Sequence, residues 1–252
     1  MNRLLLALSV AVTLAACTRE PEPFEAARIK AGEFFKKNEF AAAATEYEKS
    51  LALKPDQELV VWDRAAFSNM KANQFDRAAE LLEKSIAHRP EQAAKSDTLR
   101  NIAGMYLQQA HDSDKAERYF QKAAELDPKD EQALSWLAEI ASQRGGARVQ
   151  TAEAQPEHLK IALERYGQVI ALNPNKPDAF INKRIVLVKY LDYLARQKLS
   201  ILADAEAQKK DKAAYASAQE QAADTQKRID ELKADLDETA KRLGEALKAA
   251  KK

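Results

Sequence analysis

Cysteine is nearly absent from this chain. Cys17 is the only one among 252 residues, so no intramolecular disulfide can form and stability has to come from packing. Glycine is scarce at 6 residues and aromatics make up 7%. Stretches of alternating β-branched residues bounded by turn signals are missing, which argues against a sheet. Charge of one sign is also missing, with 40 basic against 39 acidic residues. An evenly mixed chain of this kind carries no electrostatic footprint for nucleic acid. Only His88, His111 and His158 could supply imidazole, and none stands four residues from another or in a Cys/His/Asp cluster. Neither a metal site nor any cofactor is expected from such a set. Phosphate-cradling glycine loops and a Gly-x-Ser-x-Gly elbow are lacking too. Carboxylates occur all along the chain, as they do on any solvated helix face. The expectation is a protein that binds rather than catalyses.

What remains is rich in Ala, Glu, Lys and Leu, a composition that favours long or repeated helices. The one long apolar run lies at the start, MNRLLLALSVAVTLAAC. Arg3 precedes an apolar segment, Leu4 to Ala16, of about a dozen residues, which is the length of a signal peptide and too short to span a bilayer. It ends Leu14-Ala15-Ala16-Cys17. That quartet resembles the bacterial lipobox, which implies cleavage before Cys17 and acylation of both its sulfur and its new amino group. An ordinary secretory signal would instead leave a lone thiol in an oxidising compartment. Several acyl chains on one residue give a stable anchor. Thr18 after the cysteine, by resemblance to enterobacterial sorting, implies the periplasmic face of the outer membrane. The domain reading follows: signal peptide 1–16, then lipidated Cys17 and a short proline-bearing linker to 23. Without residues 1–16, which carry Arg3, the charges balance at 39 and 39.

Four segments align on a proline: AATEYEKSLALKP at Pro55, AAELLEKSIAHRP at Pro90, AERYFQKAAELDP at Pro128 and ALERYGQVIALNP at Pro174. Eight residues before each proline stands a large apolar residue: Tyr47, Leu82, Phe120 or Tyr166. Four residues earlier stands an alanine: Ala43, Ala78, Ala116 or Ala162. Five before the proline stand Ser50, Ser85, Ala123 and Val169. Small residues let helices approach, a large one fills the gap, and the proline pushes its predecessor out of the α region and stops the helix. The pattern resembles the second helix of the tetratricopeptide repeat (TPR). Units counted from Phe24, Leu59 and Asp97 place the small residues Ala31, Ala66 and Gly104 at the eighth position. Trp62 takes the family's tryptophan position in the second unit. Phe34 and Leu107 take its tyrosine position in the first and third units. In the second unit Asn69 stands there, a departure that suggests a looser or ligand-facing spot. The resemblance covers about 24–176. It implies an all-α TPR α-solenoid of about four helix pairs.

The prolines stand 35, 38 and 46 residues apart. The extra residues of the last unit fall between a helix from about Glu131 to Arg144 and one opening at Pro156, where Gly145-Gly146 breaks the first and Pro156 starts the second. That insertion is either a tolerated surface loop or a contact for a partner.

From 177 to 252 the pattern changes. Phe180, Leu187, Leu194 and Ile201 recur every seven residues, reinforced by Ile181, Val188, Leu191 and Leu202. After the polar break KKDK at 209–212, Tyr215, Ala222, Ile229, Leu236 and Leu243 do the same, with Ala218, Thr225, Leu232, Thr239 and Ala246 between them. Two long helices with such seams predict a capping helix continuing into an antiparallel coiled-coil-like hairpin. The alternative use of the second seam, residues 213–250, is to pair with another chain as a homo-oligomer.

By resemblance, the first helices of a TPR array line a groove. The groove positions here include Arg28, Phe35 and Lys36 in the first unit. They include Asp63, Phe67, Met70 and Lys71 in the second, and Asn101, Met105, Gln108 and Gln109 in the third. Phe35, Phe67, Met70 and Met105 would form an apolar strip suited to a peptide; packing between neighbouring units is the other use open to them. Two functions stay open at this point. One is a lipid-anchored adaptor that binds protein partners of an envelope machine through this groove. The other is a structural spacer acting through the C-terminal coiled coil.

Overall fold

The structure is a computed structural model that describes residues 20–146 and 155–250. Cys17, the leader before it and residues 147–154 of the insertion lie outside the described residues. Among the described residues the chain is all-α, with ten α-helices and no strand. None of these helices is long and apolar enough to cross a membrane.

Two compact units divide between Ala94 and Lys95. The first holds two helix pairs: α1 (Pro23–Lys36) with α2 (Phe40–Leu53), and α3 (Leu59–Lys71) with α4 (Phe75–Ser85), the last closed by a 3₁₀ turn at Ile86–His88. α5 (Gln92–Met105) crosses the division and runs into a π-turn at Tyr106–Ala110. The second unit continues with α6 (Ser113–Leu126), α7 (Glu131–Arg144), α8 (Pro156–Leu172), α9 (Pro177–Ala207) and α10 (Lys212–Ala249).

Local chemistry explains the pairs. α1 and α3 each end in the left-handed region at an asparagine, Asn38 (φ 60°) and Asn73 (φ 59°). The Glu39 amide donates back to the Phe34 carbonyl at 3.0 Å, and the Gln74 amide donates to the Asn69 carbonyl at 2.9 Å. These are Schellman closures. In a glycine-poor chain asparagine is the residue that tolerates them best. The second helices end as their prolines require: Lys54, Arg89, Asp127 and Asn173, each directly before a proline, all leave the α region.

The repeat positions do the packing expected of them. Ala31, Ala43, Ala66, Ala78, Ala116 and Ala162 are buried, as are Tyr47, Phe120 and Tyr166, while Leu82 is half-buried beside a buried Leu81. Ser50, buried, donates to the Phe24 carbonyl at 2.7 Å and ties the end of α2 to the start of α1. The core of the first unit joins Ala31, Tyr47, Leu51, Trp62, Ala65 and Leu81.

In the second unit one core runs through α7, α8, α9 and α10, where Ala138, Leu159, Tyr166, Val186, Tyr190 and Ile229 meet. Gly145 ends α7 where a Cβ would stand 2.4 Å from Cδ2 of Leu159, so any other residue there would have to push the Leu159 side chain of α8 aside. Through this shared core α9 packs as a layer on the α7–α8 stack before it continues into the hairpin. α9 and α10 pack antiparallel. Lys183 pairs with Asp235 at 2.6 Å near one end, and Lys198 donates to Gln226 at 2.7 Å nearer the other. Asp211 caps α10 by accepting from the Ala213 and Ala214 amides.

This hairpin uses the heptad seam within the chain. Ala222, Thr225, Ile229, Thr239, Leu243 and Ala246 are all buried, and Tyr215, Ala218, Leu232 and Leu236 are half-buried. The seam read at 213–250 as a surface for a second copy is therefore already covered by α9. Its small residues suit that role, because Ala and Thr let two helix backbones lie close.

Candidate functional site

In the first unit the first helices of its two pairs, α1 and α3, flank an open cleft of about 730 Å³. Its walls alternate in character. Ile29, Phe35, Val60 and Val61 supply apolar surface, and Arg28, Lys36 and Arg64 face Glu33 and Glu58 around the rim. Ile29 and Val60 are exposed despite their apolar side chains. Tyr47 of α2 forms the floor beneath Gly32. It is 1% exposed, yet its hydroxyl has no hydrogen-bond partner among the described residues. A buried hydroxyl in that state carries a desolvation cost that a ligand carbonyl or carboxylate would relieve. A Cβ on Gly32 would stand 3.9 Å from the hydroxyl, in ordinary van der Waals contact, so Gly32 lies directly over it.

At one end of the cleft three phenylalanines meet. Phe35 lies 5.7 Å from Phe40 and 5.7 Å from Phe67, and Phe40 lies 5.8 Å from Phe67, centroid to centroid. Two of the contacts are edge-on, the arrangement that ring quadrupoles favour. Cations cover the cluster: the Lys71 ammonium is 5.4 Å from the Phe67 ring and the Arg64 guanidinium 6.0 Å from the Phe35 ring.

The sequence-derived groove residues divide accordingly. Arg28, Phe35 and Lys36 line the cleft. Phe67 and Lys71 join the aromatic end, and Met70 is half-buried on the same helix. Asp63 does not line the cleft, because its carboxylate accepts from Arg89 at 2.6 Å. The third-unit residues belong to the second compact unit. Asn101, Gln108 and Gln109 are exposed there, but Met105 is 3% exposed and is corrected to a core residue. It follows Leu99 and Ile102 at helical spacing, on the buried face of α5. Asn69 is corrected as well. It is fully buried, donating to Glu48 at 2.8 Å and to the Ala65 carbonyl at 2.9 Å, and so is not ligand-facing. Glu48 in turn accepts from Arg77 at 2.8 Å. That bond, a second to Glu80 and the two carboxylate charges hold the Arg77 guanidinium pKa above its ordinary value despite partial burial.

Val60, Arg64, Phe40 and the Tyr47 hydroxyl went unread. Val60 stands seven residues, two helical turns, before Phe67, on the face already read as groove. Arg64, Phe40 and the hydroxyl have no sequence signal, since only packing decides that they face the cleft. Among the described residues no group of three His, Cys, Asp or Glu side chains could hold a metal ion.

No protein-family model matches this sequence, and no curated protein resembles it closely enough to match. Solved structures do. A TPR-repeat protein from Bacteroides fragilis superposes with a TM-score of 0.59 at 13% identity, covering 91% of this chain and 100% of its own. A TPR protein from Parabacteroides merdae reaches 0.46 at 11% identity, covering 92% and 93%. YrrB, described as a TPR protein with an unusual peptide-binding site, reaches 0.40 at 19% identity, covering 78% and 82%. The first likeness establishes the fold: an all-α solenoid of TPR type, closed by the α9–α10 hairpin.

Proposed function

We propose that the chain is a non-enzymatic scaffold that holds a protein partner by an extended peptide segment in the α1–α3 cleft. The observation that carries this is the unpartnered, buried Tyr47 hydroxyl at the floor of an open cleft with apolar walls and a charged rim. An extended peptide presents a backbone carbonyl or amide at each residue and side chains to alternate sides. Such a chain matches a cleft in which one polar group lies under a glycine and apolar surface lies beside it. The aromatic end suits an apolar anchor residue. The name given to YrrB, a TPR protein with a peptide-binding site, is in keeping with this use of the fold.

The cellular setting is the second part of the proposal. Leu14-Ala15-Ala16-Cys17 supports lipidation at Cys17, and Thr18 supports the periplasmic face of the outer membrane, where the partner would belong to an envelope assembly or secretion machine. Loss of acyl labelling in a Cys17→Ala chain tests the anchor by itself.

Crosslinking in the native membrane tests the cleft. Val60 is exposed, so Val60→Glu alters the wall without disturbing the core. A stoichiometric partner that is captured by the native chain and lost with both Val60→Glu and Phe67→Glu supports the reading. A partner that survives both substitutions refutes it.

A further inference from the structure

The face of α9 turned away from its core carries a second apolar seam. Ile181, Ile185 and Val188 lead to Asp192, and Ala195, Leu199 and Leu202 follow it, in strict alternation of four and three residues. Buried Val186, Leu187, Tyr190 and Leu194 occupy the opposite face. Ile181, Ile185 and Leu202 are exposed, and Leu199 is 67% exposed. Beside the C-terminal half of the seam lies a groove of about 540 Å³ between α9 and α10. The hairpin's own packing does not use this surface.

We propose that this seam docks an amphipathic helix of another protein whose flanks are acidic. The spacing selects a helix. Alternation of four and three averages 3.5 residues per turn, the repeat that keeps one helix stripe against another, whereas a strand would need a period of two. The seam runs for roughly 30 Å at 1.5 Å per residue, long enough for several turns of a partner. Charge selects the kind of helix. Arg184 flanks the seam on one side and Arg196 on the other, and Lys233 of α10 borders the groove together with Lys198, whose ammonium also donates to Gln226. Positions beside a helical seam set partner choice by charge. Lys189 takes no part, because its ammonium is turned to the Ser142 carbonyl at 3.0 Å.

The same charges argue against a second copy. Two α9 seams in register would set Asp192 against Asp192 and basic flank against basic flank. A single polar residue inside a seam fixes register, and Asp192 calls for a cation on the partner. In the free chain Arg196 supplies that cation from its own helix.

Two fluorescent synthetic helices of roughly 22 residues, the length of the seam, test this against the purified full chain. Both carry the same Leu/Ile stripe and a lysine opposite Asp192. One has glutamate flanks and the other lysine flanks. Fluorescence anisotropy should show the glutamate-flanked helix binding at least about tenfold more tightly. Leu199→Glu and Leu199→Ser should each weaken that binding by at least about tenfold. Both variants should keep native helicity, since Leu199 is exposed. Leu53→Glu, at an exposed position of the first unit outside the cleft, should leave the binding unchanged. Equal affinity for the two helices, no binding, or indifference to both Leu199 substitutions overturns the proposal. So does light scattering that shows a dimer of the chain which Leu199→Ser dissolves, because the occupant is then a second copy.

Discussion

Tyr47→Phe should make the first unit more stable and its cleft a poorer binder, two effects of opposite sign from one oxygen atom. The ring is 1% exposed and packs with Phe35 at 6.3 Å, and phenylalanine keeps all of that. What is lost is a hydroxyl that is buried without a partner among the described residues. Holding such a group away from water costs about 1–3 kcal/mol. Phenylalanine at this position should recover about 1 kcal/mol of that. A domain the size of the first unit gains about 4–8 °C in Tm per kcal/mol. Thermal unfolding followed by circular dichroism should therefore show a rise of several degrees in the transition of this unit. Binding moves the other way. A hydrogen bond between the hydroxyl and a bound peptide is worth about 0.5–1.5 kcal/mol net, or roughly a two- to twelvefold weaker Kd without it. Isothermal titration with the captured partner reads that change. A fall in Tm would mean that the hydroxyl is satisfied in the folded chain. An unchanged Kd would mean that the bound segment does not reach Tyr47. Either result refutes the reasoning.

Two further predictions concern the second unit. Gly145→Ala should destabilise by about 1–2 kcal/mol: overpacking against buried Leu159 costs about 1–3 kcal/mol, and the reduced freedom of the unfolded chain offsets about 0.4–1 of it. Combined with Leu159→Ala the cost should be less than the sum of the two, and strict additivity in urea titrations would show that the two residues do not meet. Glu131 at the start of α7 is paired with Lys176 and accepts from Asn173 at 3.1 Å. Partial burial pushes its pKa up, but the bonds from Lys176 and Asn173 and the Lys176 charge outweigh it and hold the carboxyl below its ordinary value. A depressed folded-state pKa stabilises above the ordinary carboxylate range, near pH 4.3, and the contribution disappears as pH falls through the folded-state value. Melting curves of Glu131→Gln and the native chain should thus differ at neutral pH and converge in acid; a gap that stays constant with pH would place the effect elsewhere.

Much of the fold was legible because repeat packing is a local matter. Alanines twelve residues before each proline, a large residue eight before it and the proline itself specify where helices touch and where they stop, and each of those interactions lies within one pair or between neighbouring pairs. The same holds for the hairpin, whose seven-residue seams and polar break at 209–212 announced two helices and a turn. The cleft was legible in part. Arg28, Phe35 and Lys36 follow from their offsets in the first helix, because neighbouring positions on a helix surface are set by its 3.6-residue turn.

What periodicity cannot carry is which of two faces a neighbour will cover. Met105 and Phe67 are both apolar residues at groove offsets, yet Met105 lies in line with Leu99 and Ile102 and is buried, while Phe67 stays at the surface against Phe35 and Phe40. Asn69 stands at an aromatic position and would pass for an open site; the Glu48 carboxylate on α2 of the preceding pair makes it a buried donor instead. Tyr47 marks the repeat in the sequence, but only packing places its hydroxyl, buried without a partner among the described residues, at the floor of the cleft. The sequence by itself determined the helices, their pairing and their ends, since the helices and their ends rest on contacts a few residues apart and the pairing on neighbours in the chain. The tertiary structure decided that the 213–250 seam is spent on α9 and that the opposite face of α9 is left open, because covering one stripe of a helix is a choice made by whichever helix packs there.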